Sequence, residues 1–318
     1  MWQNGTISYT PDRPAAIYLI GAAVIDVLVR PASEEIFRSG SCPAEQIHMS
    51  PGGDAMNEAA VLASLGRKTE LCTVIGADTA GEVIEARCKS LGIRLDPGCK
   101  REDLSTGINV VLVQENGERS FFTNPKSSLR RLTLNDIPAP FPEGYGILCF
   151  ASIFVFPDIG PGELESLFRQ AKRQGMLVCA DMTKRKKKES LADLAPALSY
   201  IDYLFPNEEE ACLLTGAKDA KEAAGLLWEA GVSNVVIKCG ERGCLIRNQE
   251  ICETVPAVRQ EVCIDTTGAG DSFAAGFLYA LSEGRSIREC AGFANQCGAR
   301  AVACMGATDW TASIGRRS

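Results

Sequence analysis

"GILCFASIFVFPDIGPGELESLFRQAKRQGMLVCAD", residues 146–181, decides the fold. The end pieces, "GILCF" and "MLVCAD", are short apolar runs of the kind that form strands buried on both faces. Between them "ELESLFRQAKRQG" reads as a helix closing on Gly175. A strand, a helix and a second strand in this order imply a parallel sheet covered by helices. The pattern continues in both directions. Upstream, "AIYLIGAAVIDVLV" (16–29) reads as a buried strand entering a second, and "DAMNEAAVLASLG" (54–66) has helical apolar spacing before a Gly stop. "TELCTVIG" (69–76) is a further strand, followed by a helix over roughly 79–91. Downstream, "YIDYLFPN", "NVVIKCG" and "CLIRN" continue the strands, and two helices are expected over about 269–282 and 286–304.

One segment breaks the alternation. "TGINVVLVQENGERSFFT" (106–123) holds two β runs around Asn116-Gly117, a strong type I′ hairpin signal. An antiparallel hairpin needs a place outside a parallel sheet, and a small lid over a site is the natural one. The expectation is one α/β domain spanning residues 1–318, with no long linker, repeat or low-complexity segment.

Composition narrows the function. The chain has 318 residues, 46% of them hydrophobic, enough for a large core. Its net charge of −7 argues against a general nucleic-acid binder, which carries a basic face. No run of about 18 apolar residues exists to span a membrane, and no signal peptide is recognisable at the N-terminus. A cytoplasmic location is expected, and the 14 scattered cysteines, without any C-x-x-C pair, suit a reducing compartment where they serve as small hydrophobes. Cys290, Cys297 and Cys304 recur every seven residues, and core packing explains them better than a metal or redox cluster. His48 is the only histidine, which excludes a multi-His metal site.

The chemistry is carried by "DTTGAGDSFAAGF" (265–277). No G-x-x-x-x-G-K-[ST] occurs, nor a G-x-G-x-x-G after the first strand, so neither a P-loop nor a dinucleotide fold is supported. Gly268, Ala269 and Gly270 would instead open a helix whose first N–H groups lack internal partners and sit at the positive end of its dipole. Small residues there let an anion approach closely. Asp271 beside such an anion hole makes sense if a proton must be removed: it could accept the proton of a substrate hydroxyl as that oxygen attacks the γ-phosphate of ATP.

Four motifs then stand in order: "GGDAMNEA" (52–59), "PNEEEA" (206–211), "IKCGERGC" (237–244) and "DTTGAGD" (265–271). Together they resemble the ribokinase (PfkB) family of carbohydrate kinases over essentially the full chain. The resemblance implies a three-layer α/β/α sandwich with a mostly parallel central sheet and a small β-sheet lid, formed by excursions near 26–50 and 105–124. It implies ATP and Mg²⁺ as cofactors, K⁺ as a further one, a small sugar or sugar-acid substrate, and a homodimer through the lid.

By the same resemblance Asp271 would be the general base over the Gly268, Ala269 and Gly270 anion hole. Asp26, Gly52, Gly53 and Asn57 would hold the sugar. Asn207 and Glu210 would organise Mg²⁺ and the phosphates, while Lys238, Gly240, Gly243 and Asn295 would lie along ATP. Asp265, Thr267 and Gly306 would form a monovalent-cation loop. "DMTKRKKK" (181–188) resembles a D-x-N-x-R motif with Thr183 in place of Asn. There Arg185 would bind a carboxylate or phosphate of the substrate, against the plainer alternative of a solvated basic loop. A nucleoside kinase of the same fold is the alternative activity, and a catalytically silent sugar- or nucleotide-binding protein is the alternative class.

Overall fold

The computed structural model describes residues 15–115, 118–187, 189–260 and 262–316. Their strands, in chain order, are β1 (Ile17–Ile20), β2 (Val24–Arg30), β3 (Gln46–Gly52), β4 (Thr69–Cys72), β5 (Ile75–Gly76), β6 (Arg94–Leu95), β7 (Lys100–Arg101), β8 (Ile108–Val113), β9 (Arg119–Thr123), β10 (Ile147–Ile153), β11 (Leu177–Met182), β12 (Tyr203–Leu204), β13 (Asn234–Lys238), β14 (Cys244–Arg247) and β15 (Cys252–Val255). The helices are α1 (Ile36–Ser39), α2 (Asp54–Ser64), α3 (Thr79–Leu91), α4 (Pro161–Arg173), α5 (Leu191–Leu198), α6 (Glu208–Thr215), α7 (Ala220–Glu229), α8 (Ala269–Ser282) and α9 (Ile287–Val302).

Nine strands form the central sheet in the order β15-β14-β13-β12-β11-β10-β1-β4-β6. All neighbours from β6 to β13 run parallel, and β14 and β15 close one edge antiparallel. Burial on both faces follows from the strand sequences. In β1, Tyr18 and Ile20 join α4 residues Leu164, Leu167 and Phe168 in one apolar cluster, while Ile17 and Leu19 join α2 and α8 in the other. Each such side chain contributes about 1.5–3 kcal/mol relative to exposure. Helices α4 to α7 supply the first layer and α2, α3, α8 and α9 the second. Cys290 and Cys297 sit buried in this second layer, as the packing reading expects. Among the described residues no group of His, Cys, Asp and Glu is arranged to hold a metal ion, and no helix is long and apolar enough to cross a membrane.

The break in alternation becomes a second sheet, ordered β3-β2-β8-β9. β8 and β9 pair antiparallel, from Asn109 opposite Thr123 to Val113 opposite Arg119. Their turn at Asn116-Gly117 lies outside the described residues. β2 pairs antiparallel with β3 but parallel with β8, so chain excursions remote in sequence meet in one sheet. This sheet runs directly into the site: β3 ends at Gly52 and α2 begins at Asp54.

Candidate active site

The parallel strands deliver their C-terminal ends to one edge of the sheet, where loops carry the functional groups, as in open α/β folds generally. Asp271 stands in the first turn of α8, behind Gly268 in the left-handed conformation at φ +70°. Asn57, in the first turn of α2, donates through Nδ2 to Asp271 Oδ2 at 2.7 Å. Asn57 is buried and its Oδ1 has no protein partner, which leaves an acceptor for a ligand hydroxyl.

Asp54, Asp181, Glu210 and Lys238 surround Asp271 in a cavity of about 330 Å³, with Thr183 and Asn207 also on its wall. Ser152 Oγ holds Asp54 Oδ2, and Lys238 Nζ is paired with Asp181 Oδ2. Asn207 and Glu210 are tied to one another by a capping box: Asn207 Oδ1 accepts from the Glu210 N–H at 2.8 Å, and Glu210 Oε2 accepts from the Asn207 N–H at 2.8 Å.

Four carboxylates therefore share this cavity with one lysine. Desolvation and mutual repulsion raise the proton affinity of Asp181, Glu210 and Asp271. Burial, then the charge of Asp54, pushes Asp271 up to about 8 against the opposing help of Asn57 and Lys238. Burial pushes Asp181 up to about 7 even beside Lys238, and burial also raises Glu210. The surplus negative charge suits a bound cation. Since no three acids among the described residues are arranged to hold a metal ion directly, that cation would be held largely through water and phosphate oxygens, as Mg²⁺ prefers.

A second, larger cavity of about 680 Å³ adjoins the first and shares Lys238, Gly240 and Gly270 with it. Gly243, Ala269, Phe273 and Asn295 line it. Asn295 donates through Nδ2 to the carbonyls of Val255 and Pro256 at 3.1 and 3.0 Å, so its amide nitrogen fixes the strap that forms the far wall. The Gly243 turn shapes the same strap. At φ +92° it passes so close to Val255 and Ala257 that a side chain would collide.

Asp26, on β2, accepts from Asn109 Nδ2 at 3.0 Å, and burial raises its carboxyl, with Asp54 close enough to add to the rise. Gly52 passes against it. A methyl group on Gly52 would lie 2.9 Å from Asp26 Cγ and nearer still to its carboxylate oxygen. Gly52→Ala is therefore expected to displace the Asp26 carboxylate from its place beside Asn109. Gly53, at φ +92°, turns the chain into α2 and would meet the Ala22 carbonyl if it carried a side chain. Asp265 gathers the third set of predicted residues: it accepts from the Thr267 N–H at 2.8 Å through Oδ1 and from the Gly306 N–H at 3.1 Å through Oδ2.

The basic run is placed differently from its motif. Arg185 donates to the Glu189 carbonyl at 3.0 Å and is absent from the residues lining either cavity. Lys184 pairs with Glu209, and Lys187 donates to the Pro157 carbonyl at 3.0 Å. Lys186 is the member with no hydrogen bond or ion pair among the described residues, and the charges of Arg130 and Asp54 act on it. Sequence reasoning also missed Asp54 and the pairing of Asp181. Asp54 had a signal in its place directly after Gly52-Gly53, but the Asp181 pairing joins positions 57 residues apart and leaves no local trace.

A helix N-terminus opens on a cluster of acids, at the boundary between two adjoining cavities on a doubly covered sheet, an arrangement that suits phosphoryl transfer to a hydroxyl. The chain matches the model of the pfkB family of carbohydrate kinases over residues 15–313, and it belongs to that family. It is 31% identical to a cytidine kinase of Thermococcus kodakarensis over 86% of this chain and 91% of that one. It is 27% identical to a ribokinase of Haemophilus influenzae over 80% and 82% of the two chains. Among solved structures, adenosine kinase from Sinorhizobium meliloti superposes with a TM-score of 0.80 at 21% identity, covering 94% of this chain and 98% of that one. Arabidopsis thaliana ribokinase complexed with ribose and ATP superposes at 0.74 with 24% identity, covering 94% and 97%.

Proposed function

We propose that this chain transfers the γ-phosphoryl of ATP to a hydroxyl of a monosaccharide or close relative, with Asp271 as general base and the backbone of Gly268, Ala269 and Gly270 as anion hole. The observation that carries the reading is the seat of Asp271: it stands at the mouth of α8, fixed by Asn57, in the smaller of two adjoining cavities. The acceptor lies beside that cavity, against Asp26, Asn57 and the Gly52-Gly53 backbone, where Asn57 reaches Asp271. ATP occupies the larger one along Gly240, Gly243 and Asn295. Mg²⁺, near Asn207 and Glu210, neutralises charge on the phosphates. A monovalent cation, K⁺, belongs at the Asp265 loop, where a buried carboxylate gathers the backbone.

The second reading, a nucleoside as acceptor, is favoured by the 31% identity to a cytidine kinase. A sugar and a nucleoside offer the same ribose hydroxyls to Asp26 and Asn57, and the difference lies in what the small sheet admits beyond them. A sugar acid is the third acceptor class, although neither Arg185 nor Lys186 lines either cavity. ADP release measured across sugars, sugar acids and nucleosides, with Mg²⁺ and with or without K⁺, tests all three. An acceptor-dependent rate names the class, and ADP release indifferent to every acceptor counts against the proposal.

The small sheet exposes Ile47, Met49, Phe121 and Phe122, each more than half accessible. A homodimer through this sheet belongs to the proposal, and light scattering at micromolar concentration is expected to return twice the 34.1 kDa chain mass. A clean monomer there would overturn it.

A further inference from the structure

Lys238 ends β13 at the boundary of the two cavities. Three residues line both: Lys238, Gly240 and Gly270. The two glycines have no side chains, so the Lys238 ammonium is the side-chain group common to both walls. It stands close to the centre of the anion hole: a methyl group on Gly270 would lie 3.5 Å from Lys238 Nζ and 3.9 Å from its Cε. The main chain fixes it there. The Lys238 N–H donates to the Pro206 carbonyl at 2.8 Å, and Lys238 bridges to Asn207 in parallel register. Asp181, on β11, grips the ammonium from beneath, and the two side chains keep only 6% and 15% of their surface, respectively.

A phosphoryl group passing from the larger cavity to an acceptor beside Asp271 crosses this boundary. In flight its charge is spread over three equatorial oxygens, and catalysis consists largely of positioning and electrostatic stabilisation. We propose that Lys238 is a catalytic residue whose ammonium binds those oxygens at the boundary, with Asp181 as the positioning residue that holds it there. This rests on the kinase reading. In the step, the acceptor oxygen forms its bond to the γ-phosphorus and gives its proton to Asp271, the bond to the β-phosphate oxygen breaks, and ADP leaves. Lys238 exchanges no proton. Burial disfavours its charge, but Asp181, Glu210 and Asp271 outweigh burial and hold its proton more firmly than usual. Glu58, fully buried on α2 with one oxygen near Cys149 Sγ, completes the set of acids that face the pair.

The competing role is a buried ion pair that serves only the fold. A double substitution separates the two, because a structural pair can be replaced by a neutral one. Steady-state kinetics with the preferred acceptor are measured for the wild type, Lys238→Met, Asp181→Asn, the double variant and Asp271→Asn. Lys238→Met is expected to lower kcat about 10³-fold, the scale of losing one transition-state donor, with the KM for ATP within about threefold. Asp181→Asn keeps the ammonium and is expected to lose about tenfold. The single Lys238→Met variant leaves Asp181 buried without its partner and can fail to fold. The double variant removes that charge, so its thermal unfolding should be close to wild type while its kcat stays about 10³-fold down. Recovery of the double variant to within tenfold of the wild type would overturn the catalytic role. Acceptor-dependent turnover by the wild type, lost in Asp271→Asn, reports the underlying reading separately; a wild type without such turnover overturns both.

Discussion

If Asp271 is the general base, as proposed, Asp271→Asn is expected to lower kcat by about 10³–10⁴-fold, the upper part of the range for a positioned general base, and to leave the affinity for ADP within about twofold. The asymmetry follows from where the side chain sits. Asp271 lines the smaller cavity and is absent from the walls of the larger one. Asn is nearly isosteric and keeps a partner for Asn57 Nδ2 through its amide oxygen, so α2 and α8 remain joined. Only the capacity to take a proton is lost. The pH profile of the wild type carries the same information. A base acts in its deprotonated form, and burial among acids pushes Asp271 up to about 8. For the free enzyme, kcat/KM for the acceptor should therefore fall about tenfold per unit as pH drops below about 8. A carboxylate with its ordinary pKa near 3.8 would give a flat profile from pH 5 upward. Rate measurements from pH 5.5 to 9.5, with equilibrium ADP binding for both proteins, check both parts.

Gly268→Ala is expected to be nearly as damaging through a different cause. Gly268 has φ +70°, which costs a residue with a side chain about 1–2 kcal/mol. The added methyl would also lie 2.7 Å from Ala307 Cα and 2.9 Å from the Ala307 carbonyl oxygen, both backbone atoms. Relief requires the start of α8 to move away, which carries the proposed anion hole and Asp271 with it. A misplacement of about 1 Å can cost about 10²-fold in rate, so kcat should fall by at least that factor. Gly92, which closes α3, supplies the control. It has φ +71° and open space where a methyl would go. Gly92→Ala meets the same backbone cost without the collision, so it should lower Tm by a few degrees and leave kcat unchanged. Thermal unfolding and kcat measured together for the two variants separate strain from displacement.

The layer architecture was readable from the sequence because buried parallel strands and their helices announce themselves locally. The helix expected over 79–91 is α3, and the strands expected at "GILCF", "MLVCAD" and "NVVIKCG" are β10, β11 and β13. The small sheet was only half readable. Antiparallel pairing of β8 with β9 is a local signal, whereas the parallel pairing of β2 with β8 joins residues 83 apart, from Asp26 to Asn109. The site divides along the same line. Asp271, Asn57, Asn207 and Glu210 stand in motifs whose spacing survives in sequence. The grip of Asp181 on Lys238 is made where two strand ends converge, and nothing beside either residue records it. For the basic run, resemblance to a motif leaves both a substrate anion and a solvated loop open to Arg185, and the loop turns its guanidinium onto the Glu189 carbonyl, a backbone contact that the motif does not record.

The most direct test of the central claim is to follow the phosphorus. With the wild-type protein, Mg²⁺, ATP and the preferred acceptor, ³¹P NMR should show a phosphomonoester resonance growing in step with ADP, and neither should grow with Asp271→Asn. ADP accompanied by inorganic phosphate, at a rate indifferent to every acceptor, would contradict the account.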